Sequence, residues 1–313
     1  MKVLVTGANG FVGRALCEQL KVIGHEVVPA ARRASDIPNA IILQEDDHFA
    51  WQNVLQGCEA IIHLAGRAHV MQEQATDPMH AYRQANVVTT LKIARQAVEC
   101  GVKRFIFLST IKVNGENTLP AQLFTPEDIP NPQDPYAVSK WEAENLLKDL
   151  AKETGLEVVI IRPPLVYGPG VKGNFAKLIQ LVQKGIPLPF GAIENQRSMI
   201  ALENLLDVII RCADTIKYPN LAGEVFLVSD GKPLSTKALL QEIALAYGLK
   251  LRLISIPSAV IRFLLSVIGK ASTADRILGE LVIDDQKTKD RLGWQPVITI
   301  REQLRKMANA TRM

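Results

Sequence analysis

Two residues of the stretch YAVSK, Tyr136 and Lys140, are four positions apart, the spacing that places two side chains on one face of a helix. A phenol that acts as a base near neutral pH needs about 4 kcal/mol of differential stabilisation of its ionised form. One exposed lysine would not supply this, whereas Lys140 acting with a second cation in a poorly solvated pocket would. In such a pocket the tyrosine of this pair could therefore act as a base. A surface Tyr/Lys pair at the same spacing is the alternative.

A glycine-rich stretch, TGANGFVG, lies between the apolar run KVLVT and the helical pattern FVGRALCEQL. Gly7 permits a tight turn, Gly10 lets backbone N–H groups approach a pyrophosphate, and Gly13 lets the helix pack close to the strand. The N-terminus of the helix then faces the anion. This context predicts a dinucleotide-binding turn, and a strand-to-helix loop without a ligand is the alternative.

The elements that must position these residues follow from the apolar pattern. Strand-length apolar runs alternate with helix-length amphipathic segments: KVLVT, HEVVPA, AIIL, AIIHLA, RFIFLS and EVVIIR. This alternation predicts an α/β fold with a Rossmann-type, doubly wound parallel sheet. After RPPLVYGPGVKG the pattern is less regular and mostly helical. We expect a dinucleotide-binding domain at 1–167 and a smaller substrate domain at 168–313, and the two can interleave.

Further motifs extend over nearly the whole chain: HLAG at 63–66, Asn86, Ser109-Thr110, RPPLVYGPG and the late LGW. Together with TGANGFVG and YAVSK they make the sequence similar to the extended short-chain dehydrogenase/reductases of the NAD-dependent epimerase/dehydratase family. Within it, the pattern resembles UDP-sugar 4-epimerases and UDP-4-keto-6-deoxy-N-acetylhexosamine 4-reductases. Cofactor-binding regulators without turnover also occur in this family, but Thr110, Tyr136 and Lys140 are all present and argue for an enzyme.

The resemblance implies a role for each matching residue. Tyr136 exchanges the proton, Lys140 assists it and bonds the nicotinamide ribose, and Thr110 bonds the reacting oxygen, so these three are the predicted catalytic residues. The predicted cofactor-binding residues are Gly7, Asn9, Gly10, Phe11, Val12, Gly13, Arg32, Arg33, Leu64, Ala65, Gly66, Asn86, Ser109, Tyr136 and Lys140. Those predicted to contact a nucleotide-sugar substrate are Thr110, Asn174, Arg197 and Arg276. We predict no metal site. His63 and Trp294 are expected to be core residues.

Departures from the family pattern limit the reactions that the enzyme can catalyse. Related 4,6-dehydratases carry an Asp-Glu pair where this chain has Ile111 and Lys112, so the acid/base pair for dehydration is missing. Leu165 replaces the Asn that typically precedes VYGP. The residues therefore favour chemistry at C4 of the sugar.

The cofactor prediction rests on the segment after the second strand. Ala31 stands where NAD-selective relatives place a carboxylate, and Arg32 and Arg33 follow. Guanidinium groups bind a 2′-phosphate, so NADP(H) is preferred and NAD(H) is the alternative. Because NADPH is the usual biosynthetic reductant, we expect a 4-reductase that makes a sugar for surface polysaccharide. A UDP-hexose 4-epimerase with retained NAD is the alternative.

Composition limits the remaining possibilities. The chain has 313 residues and a net charge of +4 without a Lys/Arg run, which indicates neither a nucleic-acid site nor a polybasic membrane patch. The four cysteines are far apart and predict neither zinc nor a disulfide framework. The longest apolar stretch, IPSAVIRFLLSVIG, is too short to span a bilayer. We expect a cytoplasmic enzyme with a nucleotide-sugar substrate and no membrane insertion.

A homodimer through the helices near 79–100 and 136–153 is predicted, with Val87, Leu91, Leu146 and Leu147 as apolar interface candidates.

Overall fold

A computed structural model describes residues 1–32, 37–42, 48–68, 76–267, 269 and 271–311. The described residues form nine strands: β1 Lys2–Thr6, β2 Glu26–Ala31, β3 Ile41–Ile42, β4 Ala60–His63, β5 Arg104–Leu108, β6 Glu157–Arg162, β7 Leu165–Tyr167, β8 Met199–Ala201 and β9 Val225–Leu227. Seven of them make one parallel sheet in the order β3-β2-β1-β4-β5-β6-β9, and β7 pairs with β8 separately. The predicted Rossmann-type sheet is confirmed.

The strand order reverses between β1 and β4, which pair in parallel with Thr6 opposite His63. In an open parallel sheet the carboxyl ends of two such strands border a crevice, because their connections leave in opposite directions. The loops after Thr6 and His63 therefore meet at one edge of the sheet. The glycine-rich turn and the HLAG motif occupy these two loops.

Helices cover both faces of the sheet and build the C-terminal part: α1 Phe11–Val22, α2 His48–Leu55, α3 Pro78–Arg83, α4 Thr89–Glu99, α5 Pro135–Thr154, α6 Asn174–Gln183, α7 Leu202–Ala213, α8 Thr236–Tyr247, α9 Ser258–Val267, α10 Ala271–Leu278, α11 Gln286–Leu292 and α12 Ile300–Ala310. A π-helical turn, Gln84–Val88, joins α3 to α4, and a 3-10 turn, Ile111–Val113, follows β5.

Strand side chains alternate between two apolar layers. Ile62 packs into a cluster that includes Leu16 of α1 and Leu205 of α7, whereas Ile61 packs into one that includes Ile93 of α4 and Leu147 of α5. Burial on both faces explains why these strands are continuous apolar runs.

The C-terminal part has its own core, formed largely by α6, α8, α10 and α12. It also returns chain to the sheet, because β9 pairs with β6 and α7 contacts β4 and β5. The range 168–313 therefore contributes a strand and a helix to the nucleotide-binding layer, and the division at 167/168 remains a prediction. Within the described ranges no helix combines the length and apolar character needed to cross a bilayer.

Candidate functional site

The turn between β1 and α1 fits a bound phosphate because its glycines let backbone segments approach closely. Gly7 has φ +68°, and a Cβ there would lie 2.7 Å from the amide nitrogen of Ala65. A Cβ at Gly13 would overlap the carbonyl oxygen of Gly7 and lie 2.9 Å from Cα of Ala8. Gly10 is the N-cap of α1 and has no side chain to cap the first-turn N–H groups, which suits an anion.

The remaining predicted cofactor residues of this edge are placed as follows. Asn9 is exposed, while Phe11 and Val12 are half-buried in the first turn of α1. Arg32 is exposed directly after β2, and its charge acts on His63. Arg33 lies outside the described residues.

His63 fastens the end of β4 beneath the crevice. Its Nδ1 lies 2.8 Å from Oγ1 of Thr6, and its Nε2 lies 2.9 Å from Oγ1 of Thr90. The Thr90 hydroxyl donates to the carbonyl oxygen of Asn86, so it accepts from His63 Nε2–H. Burial, with the charges of Lys140 and Arg32, lowers the pKa of His63 to about 3. The prediction of a hydrogen-bonded core histidine is confirmed.

Asn86 holds the loop that follows β4. It lies in the π-helical turn, where its Oδ1 accepts from the Arg67 amide at 2.7 Å, and its Nδ2 donates to the Arg67 carbonyl and, at 2.9 Å, to Ser139 Oγ. A Cβ at Gly66 would lie 2.9 Å from Asn86 Oδ1. Leu64, Ala65 and Gly66, all half-buried, are therefore held against α5. π-Helical turns occur frequently at functional sites.

The predicted catalytic residues are brought together at the N-terminus of α5. Tyr136 is half-buried, and a hydrogen bond joins its hydroxyl to that of Thr110. Lys140 lies one turn further along, with Nζ donating to the Leu108 carbonyl at 2.8 Å and lying 4.3 Å from the ring centre of Phe107. Burial lowers the pKa of Lys140 to about 8, against the opposing effect of Glu144.

The chain's own groups raise the pKa of Tyr136. Burial is the main cause, and the charge of Asp134 and the neighbouring Tyr82 add to it, while the hydrogen bond from Thr110 acts in the opposite direction. The expectation of a lowered pKa is therefore not met by the protein groups alone. A lowered pKa would require a second cation beside Lys140, and an oxidised nicotinamide would supply one.

Behind the site lies a buried polar network that the sequence analysis did not identify. Ser109 Oγ donates to Glu144 Oε1 at 2.5 Å, and Arg162 binds both carboxylate oxygens of Glu144. Arg162 also donates to Asn114 at 2.9 Å. Arg162 is 2% exposed and Glu144 0%. The Ser109 hydroxyl thus bonds a core carboxylate, whereas the resemblance places it among the cofactor contacts.

Lys112 connects the turn after β5 to the start of α5. Its Nζ donates to Asp134 Oδ2 at 2.6 Å and to Glu116 Oε1 at 2.7 Å. Asp134 is the N-cap of α5 and accepts from the Ala137 amide at 2.7 Å. Burial raises the pKa of the Asp134 carboxyl, but these hydrogen bonds outweigh it and leave the pKa below its usual value. Asp134 was also missed, although Asp followed by Pro at the first helical position is a typical helix start.

Two of the predicted substrate residues lie close to this group. Arg197 Nη1 donates to the Gly279 carbonyl at 3.0 Å, and burial with the nearby charge of Arg276 lowers its pKa against the effect of Glu116. Arg276 is exposed on α10 and acts electrostatically on Asp134. Asn174 is exposed at the first position of α6. No cluster of three potential metal ligands occurs among the residues that the structure describes.

The fold and this site define a class: an enzyme of the short-chain dehydrogenase/reductase type, with a glycine-rich turn at a strand-order reversal and Tyr and Lys on one helix face. Residues 3–226 match the model described as the NAD dependent epimerase/dehydratase family. The chain belongs to this family, and the resemblance stated from the motifs is confirmed.

Individual relatives cover nearly all of the chain. A Vibrio cholerae protein named UDP-glucose 4-epimerase is 42% identical over 313 residues, which is 98% of this chain and 94% of the relative. A GDP-6-deoxy-D-mannose reductase of Pseudomonas aeruginosa is 28% identical over 97% of this chain and 95% of its own. The solved structure of MoeE5 in complex with UDP-glucuronic acid and NAD has a TM-score of 0.78, 23% identity and coverage of 100% and 99% of the two chains, and shows the shared fold.

Proposed function

We propose that this protein is a nucleotide-sugar C4 epimerase that acts on a UDP-hexose and retains NAD. The observation that carries the proposal is the 42% identity, over 98% of the chain, to the Vibrio cholerae protein named UDP-glucose 4-epimerase. The sequence favoured the 4-reductase as its main interpretation, and the relatives support its alternative better. Dehydration remains disfavoured because Lys112 makes two ion pairs at a position where dehydratases have an acid/base group.

The described residues fit a dinucleotide. Cβ atoms at Gly7 and Gly13 would fill space against backbone atoms, which is the constraint expected where a strand, a turn and a helix converge beneath a pyrophosphate. Asn9 to Val12 lie at the start of α1, and Leu64 to Gly66 lie on the opposite side of the crevice. When bound, the nicotinamide would accept a hydride from C4 and return it.

In this mechanism Tyr136 takes the proton of the C4 hydroxyl and later returns it to the oxygen of the 4-keto sugar. Thr110 bonds the same oxygen and keeps it aligned with the phenol, as its hydrogen bond to Tyr136 supports. Lys140, whose Nζ is fixed by the Leu108 carbonyl, supplies positive charge beside the phenolate and a donor to the ribose. The hydride leaves one face of C4 and must return to the other, so the sugar turns over between the two transfers while its C4 oxygen stays within reach of Tyr136 and Thr110.

The substrate diphosphate is assigned to Arg197 and Arg276, with Asn174 at the start of α6. Both arginines lie within electrostatic range of Glu116 or Asp134, next to the catalytic helix. Charge-assisted hydrogen bonds from guanidinium groups suit phosphate oxygens. Arg197 is held by the Gly279 carbonyl, whereas Arg276 is exposed and able to follow the ligand.

A 4-reductase that consumes NADPH is the second candidate, and Arg32 is the observation that favours it. This arginine is exposed after β2, beside an alanine where NAD-selective relatives carry a carboxylate. Arg32 and Arg33 would bind a 2′-phosphate. The Pseudomonas aeruginosa relative, named as a reductase, belongs to the same group of matches.

One experiment separates the two functions. UDP-glucose and UDP-galactose are incubated with the purified protein and NAD, and the sugars are followed by NMR. Interconversion without net cofactor consumption is the expected result. Stoichiometric NADPH oxidation with a UDP-4-keto-6-deoxyhexosamine, together with tighter binding of NADPH than of NADH, would establish the reductase and overturn the epimerase proposal.

A homodimer through α4 and α5 remains part of the proposal, with fewer apolar residues than the sequence suggested. Val87 and Leu147 are buried in the chain's own core, while Leu91 is half-buried. Leu146 and Val88 are 40% and 36% exposed and are available to a second copy. A monomeric mass by light scattering at micromolar concentration would contradict the dimer.

A further inference from the structure

Helix α9 carries apolar side chains on two sides. Ile261 is 5% exposed and packs into the core of the C-terminal part, where Leu265 also lies. On the outer side Val260, Phe263, Leu264 and Val267 are 45%, 66%, 55% and 68% exposed. Their spacing of i, i+3, i+4 and i+7 forms one continuous stripe along the helix.

This outer stripe, residues 260, 263, 264 and 267, is exposed, and Phe263 at its centre borders a shallow cleft beside Asp275 of α10. Contact with α10 is made beside Arg262, which pairs with Asp275. Ile254, four residues before the helix, is a further exposed apolar residue of this segment, at 51%. Scattered exposed apolar residues are ordinary, but a contiguous stripe marks a surface that binds another apolar phase.

The charge of this segment is unbalanced. Residues 248–278 contain five basic residues and one acidic residue, compared with 36 and 32 in the whole chain. The rest of the chain therefore has equal numbers of basic and acidic residues, and this segment carries the entire net charge of +4. The basic residues are Lys250, Arg252, Arg262, Lys270 and Arg276.

An apolar stripe within a basic segment is the pattern of a helix that lies in a membrane interface. Anionic headgroups attract the lysines and arginines, while the apolar face enters the acyl boundary. A second copy of the chain fits less well, because a two-fold contact would bring this positive segment against itself. We propose that α9 and its basic flanks dock the enzyme on an anionic lipid surface. This goes beyond the proposed function and does not depend on it.

The proposed surface adjoins the substrate side of the molecule. α10, which contacts α9, ends at Leu278 and carries Arg276. The carbonyls of Ile277 and Gly279 accept hydrogen bonds from Asn195, which fixes the end of this helix. A lipid-bound α9 would therefore hold the mouth of the site close to the membrane plane.

The test uses the full chain and vesicles of phosphatidylcholine, with or without one-third phosphatidylglycerol. We expect co-sedimentation with the anionic vesicles and its loss at high salt. The double variant Phe263→Glu/Leu264→Glu is expected to lower partitioning at least about tenfold. Lys250→Gln and Arg252→Gln are each expected to lower it about fivefold. Ile216→Glu, at a site 86% exposed elsewhere on the surface, is the matched control and should bind as the parent does.

Two further measurements show whether a loss of vesicle binding in the α9 variants comes from the stripe itself or from damage to the fold. The α9 variants should retain the circular dichroism spectrum and the turnover of soluble substrate, because neither residue belongs to the catalytic or binding groups. Absence of vesicle binding by the parent, or equal binding to neutral and anionic vesicles, overturns the proposal. So does a change from dimer to monomer by light scattering in Phe263→Glu/Leu264→Glu, since the stripe would then be a contact between copies.

Discussion

Replacing Glu144 by Gln should lower the stability of the fold and alter proton transfer, because this carboxylate pairs with buried Arg162 and its charge acts on Lys140. Glu144 is 0% exposed and is the anion that balances Arg162, which is 2% exposed. The substitution leaves the Arg162 guanidinium buried without a carboxylate among its described side-chain partners, since Asn114 and the new amide are both neutral. Breaking a buried pair by removing one partner costs about 3–5 kcal/mol. We expect a loss of this size in the free energy of unfolding, measured with urea at pH 7.

The same substitution should alter the pH dependence of turnover. Burial lowers the pKa of Lys140 to about 8 even though the charge of Glu144 acts to raise it. Without that charge the pKa falls further, so Lys140 loses its proton at a lower pH. As pH rises, activity that requires the ammonium group should therefore begin to decline near pH 8 in the parent protein. In Glu144→Gln the decline should begin at a lower pH.

Matched variants separate the two effects. Ser109→Ala removes the hydrogen bond that Ser109 Oγ donates to Glu144 Oε1 and should cost about 1 kcal/mol without moving the pH profile. Glu144→Gln/Arg162→Met removes both charges and should recover most of the lost stability but not the pH profile. An unfolding free energy within 1 kcal/mol of the parent for Glu144→Gln alone, with an unchanged profile, would refute this account of the network.

Three other expectations follow from the site. Tyr136→Phe should lower turnover at least about a hundredfold and leave cofactor binding, measured by calorimetry, largely intact, since the proton-transfer group is lost but the ring remains; near-normal turnover would remove Tyr136 from the mechanism. Gly13→Ala should weaken dinucleotide binding at least about tenfold, because its Cβ would overlap Gly7; equal affinity would contradict the cradle. His63 has a pKa of about 3 in the fold against 6.5 ordinarily, so the unfolded chain binds the extra proton between these values. Its contribution to stability should fall by about 1.4 kcal/mol per unit as pH drops below 6.5, and His63→Gln should reduce the observed slope by that amount.

The strands of the central sheet were predictable because burial on both faces makes each of them a continuous apolar run. The six predicted apolar runs correspond to β1–β6, and the glycine motif lies between β1 and α1. The strand β9, Val225–Leu227, was not predicted because three apolar residues resemble the short segments around them. Its place in the sheet depends on pairing with β6, a contact more than sixty residues away in sequence.

Site residues were predictable where the chemistry requires a residue type at a fixed spacing. Tyr136 and Lys140 belong to one helix face, and Glu144 continues the same spacing by four residues. That polar stripe was present in the sequence, but its meaning depends on Arg162, which comes from β6. Likewise the stripe on α9 shares its periodicity with a core-facing helix. Only the packing shows that residues such as Phe263 point outward.

The π-helical turn at Gln84–Val88 makes the number of residues in this helix as important as their identity. One extra residue is accommodated in the turn, so α4 continues along α3 with its face rotated by about 100° relative to an uninterrupted α-helix. That rotation lets Asn86 bond Arg67 and Ser139 while Thr90 supports His63 and Ile93 packs on the sheet. Deleting any single residue between 84 and 88 would restore a regular helix. Either the Asn86 contacts or the contacts of Thr90 and Ile93 would then be misaligned. Single-residue deletions should therefore be tolerated far less here than conservative substitutions, which gives this segment a fixed length within the chain.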